Sequence, residues 1–282
     1  MKSAIKHRIV TVAVTLPLFF ILVFLLPHFN HLSLNIVALS ASILGALEVA
    51  AFFRKREIPV SRLLFPLLSA TLPIVAYLEI AGVVQPAFSS FWLMALFILV
   101  LIRGVLVKKE KDLADVLQLI SSSLLVIVYP ALFISYIVRL SGFENSSIII
   151  IFFLSLPIAN DIIAYLAGMF LGGSTRLKLP VSPNKSMVGF IAGFLSSIGV
   201  ALLFSHFFPR LLLGKTSYAV LLGAVIGLLT IIGDLAESAL KRSAGVKDSG
   251  KLIPGRGGML DSVDSWLLSA PVFYYFFKMI YG

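Results

Sequence analysis

The chain contains no cysteine, only four histidines, and few charged side chains. The absence of cysteine excludes disulfides, thiolate nucleophiles and Cys-ligated metal sites. The four histidines lie far apart or across a short loop, without metal-ligand spacing: His7, His28, His31 and His206. Charged residues make up 13% of the chain and hydrophobic residues 59%, with a mean hydropathy of +1.05, which excludes an ordinary water-soluble domain. The composition therefore predicts a polytopic membrane protein.

Apolar windows of about 20 residues, separated by prolines and charged segments, predict an all-α fold with nine transmembrane helices. They lie near residues 9–26, 33–53, 62–84, 88–107, 116–139, 146–171, 187–208, 216–237 and 265–281. If the N-terminus is cytoplasmic, 19 of the 23 lysines and arginines fall in cytoplasmic segments, as the positive-inside rule requires. We expect a single integral domain over residues 1–282, with multiple passes through the cell membrane.

The net charge of +10 is explained by this cytoplasmic basic rim, which faces anionic lipid headgroups. The sequence has no compact basic domain and no aromatic platform for RNA. We therefore expect membrane lipids, and no nucleic acid, among the partners.

One segment, residues 238–264, interrupts the apolar sequence with five cations, three carboxylates and five glycines. Its cations suit phosphate groups: Lys241, Arg242, Lys247, Lys251 and Arg256. Glycines such as Gly257 and Gly258 let a backbone approach a ligand closely. The orientation above places this segment in the cytoplasm, where nucleotides are.

Carboxylates flank the basic segment in two pairs with i,i+3 spacing. Asp261 and Asp264 follow the glycines, and Asp234 and Glu237 precede the first cations. On a helix this spacing places both carboxylates on one face, as a divalent metal ion requires. Glu237 has an alternative interpretation, an i,i+4 ion pair with Lys241.

Two further polar positions lie earlier in the chain. Asp161 places a carboxylate inside an otherwise apolar helix, where ionisable groups are costly and often functional. Ser182 and Pro183 begin a turn, after which Lys185 and Ser186 open the next helix. A helix N-terminus with lysine and hydroxyl groups binds anions, although such turns also serve simply as helix caps.

Together these residues resemble the phosphatidate cytidylyltransferases, also called CDP-diacylglycerol synthases. The resemblance lies in residues 155–270, whereas the first 110 residues match only in hydrophobicity. The long C-terminal signature of the family is matched in register by Ser238, Leu240, Lys241, Arg242, Lys247, Asp248, Gly250, Ile253, Pro254, Gly257, Gly258, Asp261, Val263 and Asp264. Two shorter elements are matched by Ser182, Pro183, Lys185, Ser186 and Gly189, and by Asp161, Ala164, Tyr165 and Gly168.

The sequence departs from the family pattern at three positions. Arg256 replaces a histidine, Ser262 an arginine, and Val188 a glutamate. An arginine cannot serve as a base, because its guanidinium stays protonated. The change at 188 removes a carboxylate that could orient Lys185.

The resemblance implies that the phosphate of phosphatidic acid attacks the α-phosphorus of CTP, in an active site facing the cytoplasm. It implies Mg²⁺ held by Asp261, Asp264 and Asp234, room for a second cation, and a homodimer. The remaining assignments are phosphate binding by Lys241, Arg242, Lys247 and Arg256, and either orientation of Lys247 or binding of a second cation by Asp248. Substrate binding is assigned to Asp161, Ser182, Lys185, Ser186, Ser238, Gly257 and Gly258. The alternatives are another CTP-dependent lipid enzyme such as a polyprenol or phytol kinase, a transporter, and an inactive family member.

Overall fold

The computed structural model describes residues 17–107, 110–173 and 175–281, and in these ranges every regular element is helical. The cations predicted at the cytoplasmic N-terminus and residues 9–16 of the first predicted span, 9–26, lie outside the described residues. We number the helices α1 His28–Lys55, α2 Leu64–Ile80, α3 Phe88–Val105, α4 Leu113–Leu140, α5 Ser146–Leu171, α6 Met187–Phe207, α7 Thr216–Ser243, α8 Leu260–Leu267 and α9 Ser269–Tyr281. The all-α prediction is confirmed for this part of the chain.

Six of these helices are long and apolar enough to cross a bilayer: α1, α3, α4, α5, α6 and α7. The predicted span 62–84 corresponds to the shorter apolar α2, which ends before Gly82, a residue with φ of +73°. The predicted span 265–281 corresponds to α8 and α9, with 8 and 13 residues. The count of nine spans and the side of the N-terminus stay predictions.

Proline accounts for two of the helix irregularities. Pro271 lies in the first turn of α9. It has no N–H to donate to the carbonyl of Leu267, four positions earlier, and its ring clashes with a helical carbonyl there, so α8 ends at that residue. Pro130 lies in a π-helical turn, Val128–Leu132, which divides α4 into two α-helical parts.

The chain forms two compact units, which are described separately. The first contains residues 1–147 and 243–262, and the second contains residues 148–242 and 263–282. In the first unit an ion pair joins Arg139 of α4 to Glu79 of α2 at 2.6 Å, and Glu79 also accepts the backbone N–H of Ser89 at 2.6 Å. Glu79 therefore has a structural role, because it joins α2 to α4 and to the start of α3.

The second unit packs α5, α6 and α7 through small residues. A Cβ added at Gly223 of α7 would lie 2.7 Å from the Cα of Ile198 in α6. The side-chain amide of Asn160 in α5 donates to Ser197 Oγ and to the carbonyl of Gly227, both at 3.1 Å. Small residues and interhelical hydrogen bonds are the usual means of helix association in a bilayer. These contacts fix the relative positions of α5 and α7, which carry Asp161 and Asp234.

Candidate functional site

The second unit contains a cavity of about 470 Å³, bounded by α5, the 172–186 segment, the start of α6, and α7. Its polar lining consists of Asn160, Asp161, Arg176, Asn184, Lys185, Ser186 and Asp234. Four of these were singled out in the sequence as candidate site residues: Asp161, Lys185, Ser186 and Asp234. The structure therefore brings residues from three separate parts of the sequence around one cavity.

Ser186 forms the N-cap of α6. Its backbone is extended, with φ −121° and ψ 151°, and its Oγ accepts the backbone N–H of Gly189 at 3.1 Å. The preceding segment is closed by backbone hydrogen bonds from Leu177 to Lys185 and from Met187 to Thr175, both 2.9 Å long. The predicted helix start is confirmed, and the capped N-terminus of α6 lies at the cavity.

Lys185 forms an ion pair with Asp234 of α7. The other oxygen of that carboxylate, Oδ1, accepts from Ser238 Oγ at 3.5 Å. Asp234 thus supplies the carboxylate beside Lys185 that the valine at position 188 cannot supply. No local sequence pattern predicted this pair, because 49 positions separate its members.

Four acidic residues of this unit lie close enough for their charges to interact: Asp161, Asp234, Glu237 and Asp264. Removal from water raises the pKa of the Asp264 carboxyl well above its usual range. The carboxylates of Asp234, Glu237 and Asp161 raise that pKa further. Asp161 Oδ2 accepts from Ser265 Oγ at 2.9 Å, which ties α5 to the residue after Asp264. The cluster concentrates negative charge that a bound cation would neutralise.

This donor set fits Mg²⁺ in part. Carboxylate oxygens are its preferred protein ligands, and Mg²⁺ is commonly held by one or two carboxylates together with substrate phosphates and water. Within the described residues no three acidic or histidine side chains are already arranged around a common metal position. Asp264 and Asp234 are therefore suited to hold the ion jointly with a triphosphate.

Glu237 is paired with Lys241, four residues later in α7. The Glu237 side chain is fully buried, and that of Lys241 is 12% exposed. The structural alternative for Glu237 is confirmed. Arg242 donates from Nε to the carbonyl of Val181 at 3.3 Å, next to Ser182. Phosphate binding by Lys241, Arg242 and Ser182 stays a prediction.

In the first unit, Asp261 accepts hydrogen bonds that organise the Gly-rich loop, residues 244–259. Its Oδ2 accepts the backbone N–H groups of Ser249 at 2.8 Å and Gly258 at 2.7 Å, and Ser249 Oγ lies 2.8 Å away. A Cβ added at Gly257, where φ is +117°, would lie 2.4 Å from the same oxygen. Gly257 therefore allows this turn to fold around Asp261, and metal binding by Asp261 stays a prediction.

Several charged side chains of the loop are exposed to solvent. Lys247, Asp248, Lys251 and Arg256 are exposed, and the backbone N–H of Arg256 donates to Ile253 at 3.1 Å. Their charges are therefore accessible to a ligand from solution, as the phosphate-binding prediction requires.

Sequence reasoning missed the part played by Glu48 of α1. This carboxylate accepts hydrogen bonds from the Gly-rich loop of the same unit. The available signal was its position, a carboxylate near the predicted cytoplasmic end of an apolar helix.

Comparison with known proteins matches residues 6–280 to the Cytidylyltransferase family. The phosphatidate cytidylyltransferase of Thermotoga maritima is 31% identical over 284 residues, which cover 99% of this chain and 98% of that protein. The phosphatidate cytidylyltransferase of Synechocystis sp. is 44% identical over 122 residues, and the uncharacterized protein YnbB of Escherichia coli is 40% identical over 139 residues. These two alignments cover 43% and 49% of this chain, and 40% and 45% of the respective relatives.

Proposed function

The chain belongs to the cytidylyltransferase family, and from this premise we propose that it transfers the cytidylyl group of CTP to phosphatidic acid. The products are CDP-diacylglycerol and pyrophosphate, and the reaction is a step of phospholipid biosynthesis. The protein is a multi-pass membrane enzyme, since six of its described helices are long and apolar enough to span a bilayer. This location gives it access to a lipid substrate.

The observation that carries the proposal is the cavity that contains Lys185, Ser186 and Asp234. A cation and a helix N-terminus beside a carboxylate provide both phosphate-binding groups and a ligand for a metal ion. Its volume of about 470 Å³ lies within the usual range for sites that bind small molecules.

In the proposed reaction an oxygen of the lipid phosphate forms a bond to the α-phosphorus of CTP. The bond from that phosphorus to the bridging oxygen of the β-phosphate breaks, and pyrophosphate leaves with the electron pair. The attacking oxygen is already anionic at neutral pH, so no general base is required. The protein contributes by positioning the substrates and neutralising their charge.

Each group has a role in this scheme. Lys185 and Ser186 at the start of α6 bind one phosphate, and Asp234 orients Lys185 until substrate arrives. The exposed Lys247 and Arg256 bind triphosphate oxygens, with Asp248 orienting Lys247. Asp264 and Asp234 would hold Mg²⁺, which when bound neutralises charge on the triphosphate. The proposal also includes Asp261 as a further metal ligand and a second bound cation. It further includes a homodimer and an active site that faces the cytoplasm.

The test uses purified protein in detergent with phosphatidic acid, Mg²⁺ and CTP labelled at either the α- or the γ-phosphorus. We expect α-label in the lipid extract and γ-label in pyrophosphate. A lipid kinase would instead transfer the γ-label to its lipid acceptor and release CDP. An inactive family member or a transporter would transfer neither label to lipid. Lys185→Met, which retains the length of the side chain and removes its charge, should abolish the labelled lipid.

A further inference from the structure

The loop between α7 and α8, residues 244–259, is held at its first end by two cations at the C-terminal end of α1. Arg56 donates from Nε to the carbonyl of Ser243, where α7 ends, and Lys55 donates from Nζ to the carbonyl of Gly245 at 3.5 Å. Carbonyls at a helix C-terminus have no partner within the helix, and cations there are favourable. The two side chains therefore fix the position at which the loop begins.

The other end of the loop is held by Glu48 of the same helix. Oε1 accepts the backbone N–H of Met259 and Oε2 accepts that of Leu260, each at 2.8 Å. These N–H groups lie at the N-terminus of α8, where backbone donors lack intrahelical partners. Oε2 also lies 2.8 Å from Ser249 Oγ. Glu48 thus caps α8 from a helix more than 200 positions earlier in the sequence.

Two glycines of the loop lie so close to the Glu48 carboxylate that a larger residue would not fit at either position. A Cβ added at Gly258 would lie 2.4 Å from Glu48 Oε1, and one added at Gly250 would lie 2.6 Å from it. Real Cβ atoms do not approach other atoms so closely. Both glycines therefore provide space for a neighbouring part of the protein, in addition to any role towards a ligand.

We infer that Glu48 is a positioning residue for the cytidylyl transfer: it fixes the Gly-rich loop so that the exposed Lys247 and Arg256 meet the triphosphate. The inference rests on the proposed function. Ser249 links Glu48 to Asp261, because its Oγ lies 2.8 Å from a carboxylate oxygen of each. Loss of the Glu48 carboxylate leaves two backbone donors without an acceptor and frees one side of this link.

The first test measures the loop directly. Lys251→Cys places one thiol on the exposed part of the loop of a chain that has no cysteine, and a nitroxide attached there reports its mobility. Glu48→Gln replaces one acceptor oxygen with an amide donor facing another donor. We expect a more mobile nitroxide and a fall of about tenfold or more in kcat/KM for CTP, per mole of folded enzyme. Glu48→Asp, which keeps the charge, should recover part of the loss.

The matched control is Glu57→Gln, the same change at an exposed glutamate just after α1. It should leave the nitroxide spectrum unchanged and kcat/KM within about twofold. If Glu48→Gln lowers only thermal stability, with wild-type kcat/KM and an unchanged spectrum, the inference is overturned. If the loop responds as expected but wild-type protein forms no CDP-lipid, the proposed function fails and the contact with the loop stands.

A second test uses the glycine. Gly250→Ala should reduce kcat/KM strongly beside Glu48, because its methyl group meets the carboxylate. In the Glu48→Ala variant the carboxylate is absent. Adding Gly250→Ala to that variant should therefore lower kcat/KM by a several-fold smaller factor than in the wild type. If the fall in kcat/KM of the double variant equals the product of the two single-variant falls within about twofold, Glu48 and Gly250 act independently. That result would overturn the inference.

Discussion

Replacing Lys241 with methionine should destabilise the protein strongly, because its ion-pair partner is fully buried. Glu237 has an exposed fraction of 0% and Lys241 one of 12%, so the pair differs from a surface pair that contributes about 0–1 kcal/mol. Removing one member of a buried pair leaves an uncompensated charge and costs roughly 3–5 kcal/mol. This corresponds to a fall in melting temperature of about 6–20 °C.

The second variant combines Lys241→Met with Glu237→Gln, so that neither charge remains. It should regain most of the lost stability, because a neutral pair requires no compensation. Glu237→Gln alone should cost less than Lys241→Met, since the lysine can reach water and the glutamate cannot. Melting is followed by size-exclusion chromatography of heated protein in detergent, and activity by CDP-lipid formation.

The reasoning would be refuted by a melting temperature for Lys241→Met within about 1 °C of wild type, or by a double variant no more stable than Lys241→Met alone. Activity of the double variant then defines the remaining role of Lys241. A stable double variant with normal turnover would remove Lys241 from the phosphate-binding set. A stable but inactive one would assign it both roles.

Three further predictions concern the metal site, the helix packing and the orientation. Asp264→Asn should abolish CDP-lipid formation while the protein still inserts and purifies, and near wild-type turnover across a Mg²⁺ titration would contradict the assignment. Gly223→Ala should lower stability by about 1–3 kcal/mol, because its Cβ would lie 2.7 Å from the Cα of Ile198. This is measured by melting, and a wild-type melting temperature would contradict it. Single cysteines at the exposed Lys251 and Glu144 should react with impermeant maleimide from opposite sides of the membrane. Labelling of both from one side would contradict the predicted topology.

Local patterns predicted the local parts of the site. The turn at Ser182 predicted a helix start next to Ser186, because a capping hydroxyl acts only on N–H groups two or three residues away. The spacing of Glu237 and Lys241 allowed their ion pair, because residues four apart meet on a helix. Such interactions depend on a few adjacent residues, and the sequence contains all of them.

Interactions between distant segments could not be read in this way. The spacing of Asp261 and Asp264 suggested one shared metal site, but spacing alone cannot say which other groups reach each carboxylate. Asp261 accepts from Ser249 and Gly258 of its own loop. Lys185 likewise has a carboxylate partner, Asp234, supplied by another helix. The Lys185 pair depends on which helices are neighbours, and hydrophobic patterning in a bilayer does not determine that. The contacts of Asp261 depend on the conformation of an irregular loop, which helical periodicity does not describe.

The Glu48 contacts also have a consequence for biosynthesis, since they join residues 201, 211 and 212 positions apart. At about 5–20 residues per second, a ribosome needs roughly 10–40 s to make the intervening chain. During that time Glu48 is already synthesised, and its eventual partners do not yet exist. A chain that stops before Ser249 would retain α1 to α7 but lack every donor that this carboxylate binds. The Gly-rich loop can therefore take its final conformation only after Leu260 has been synthesised.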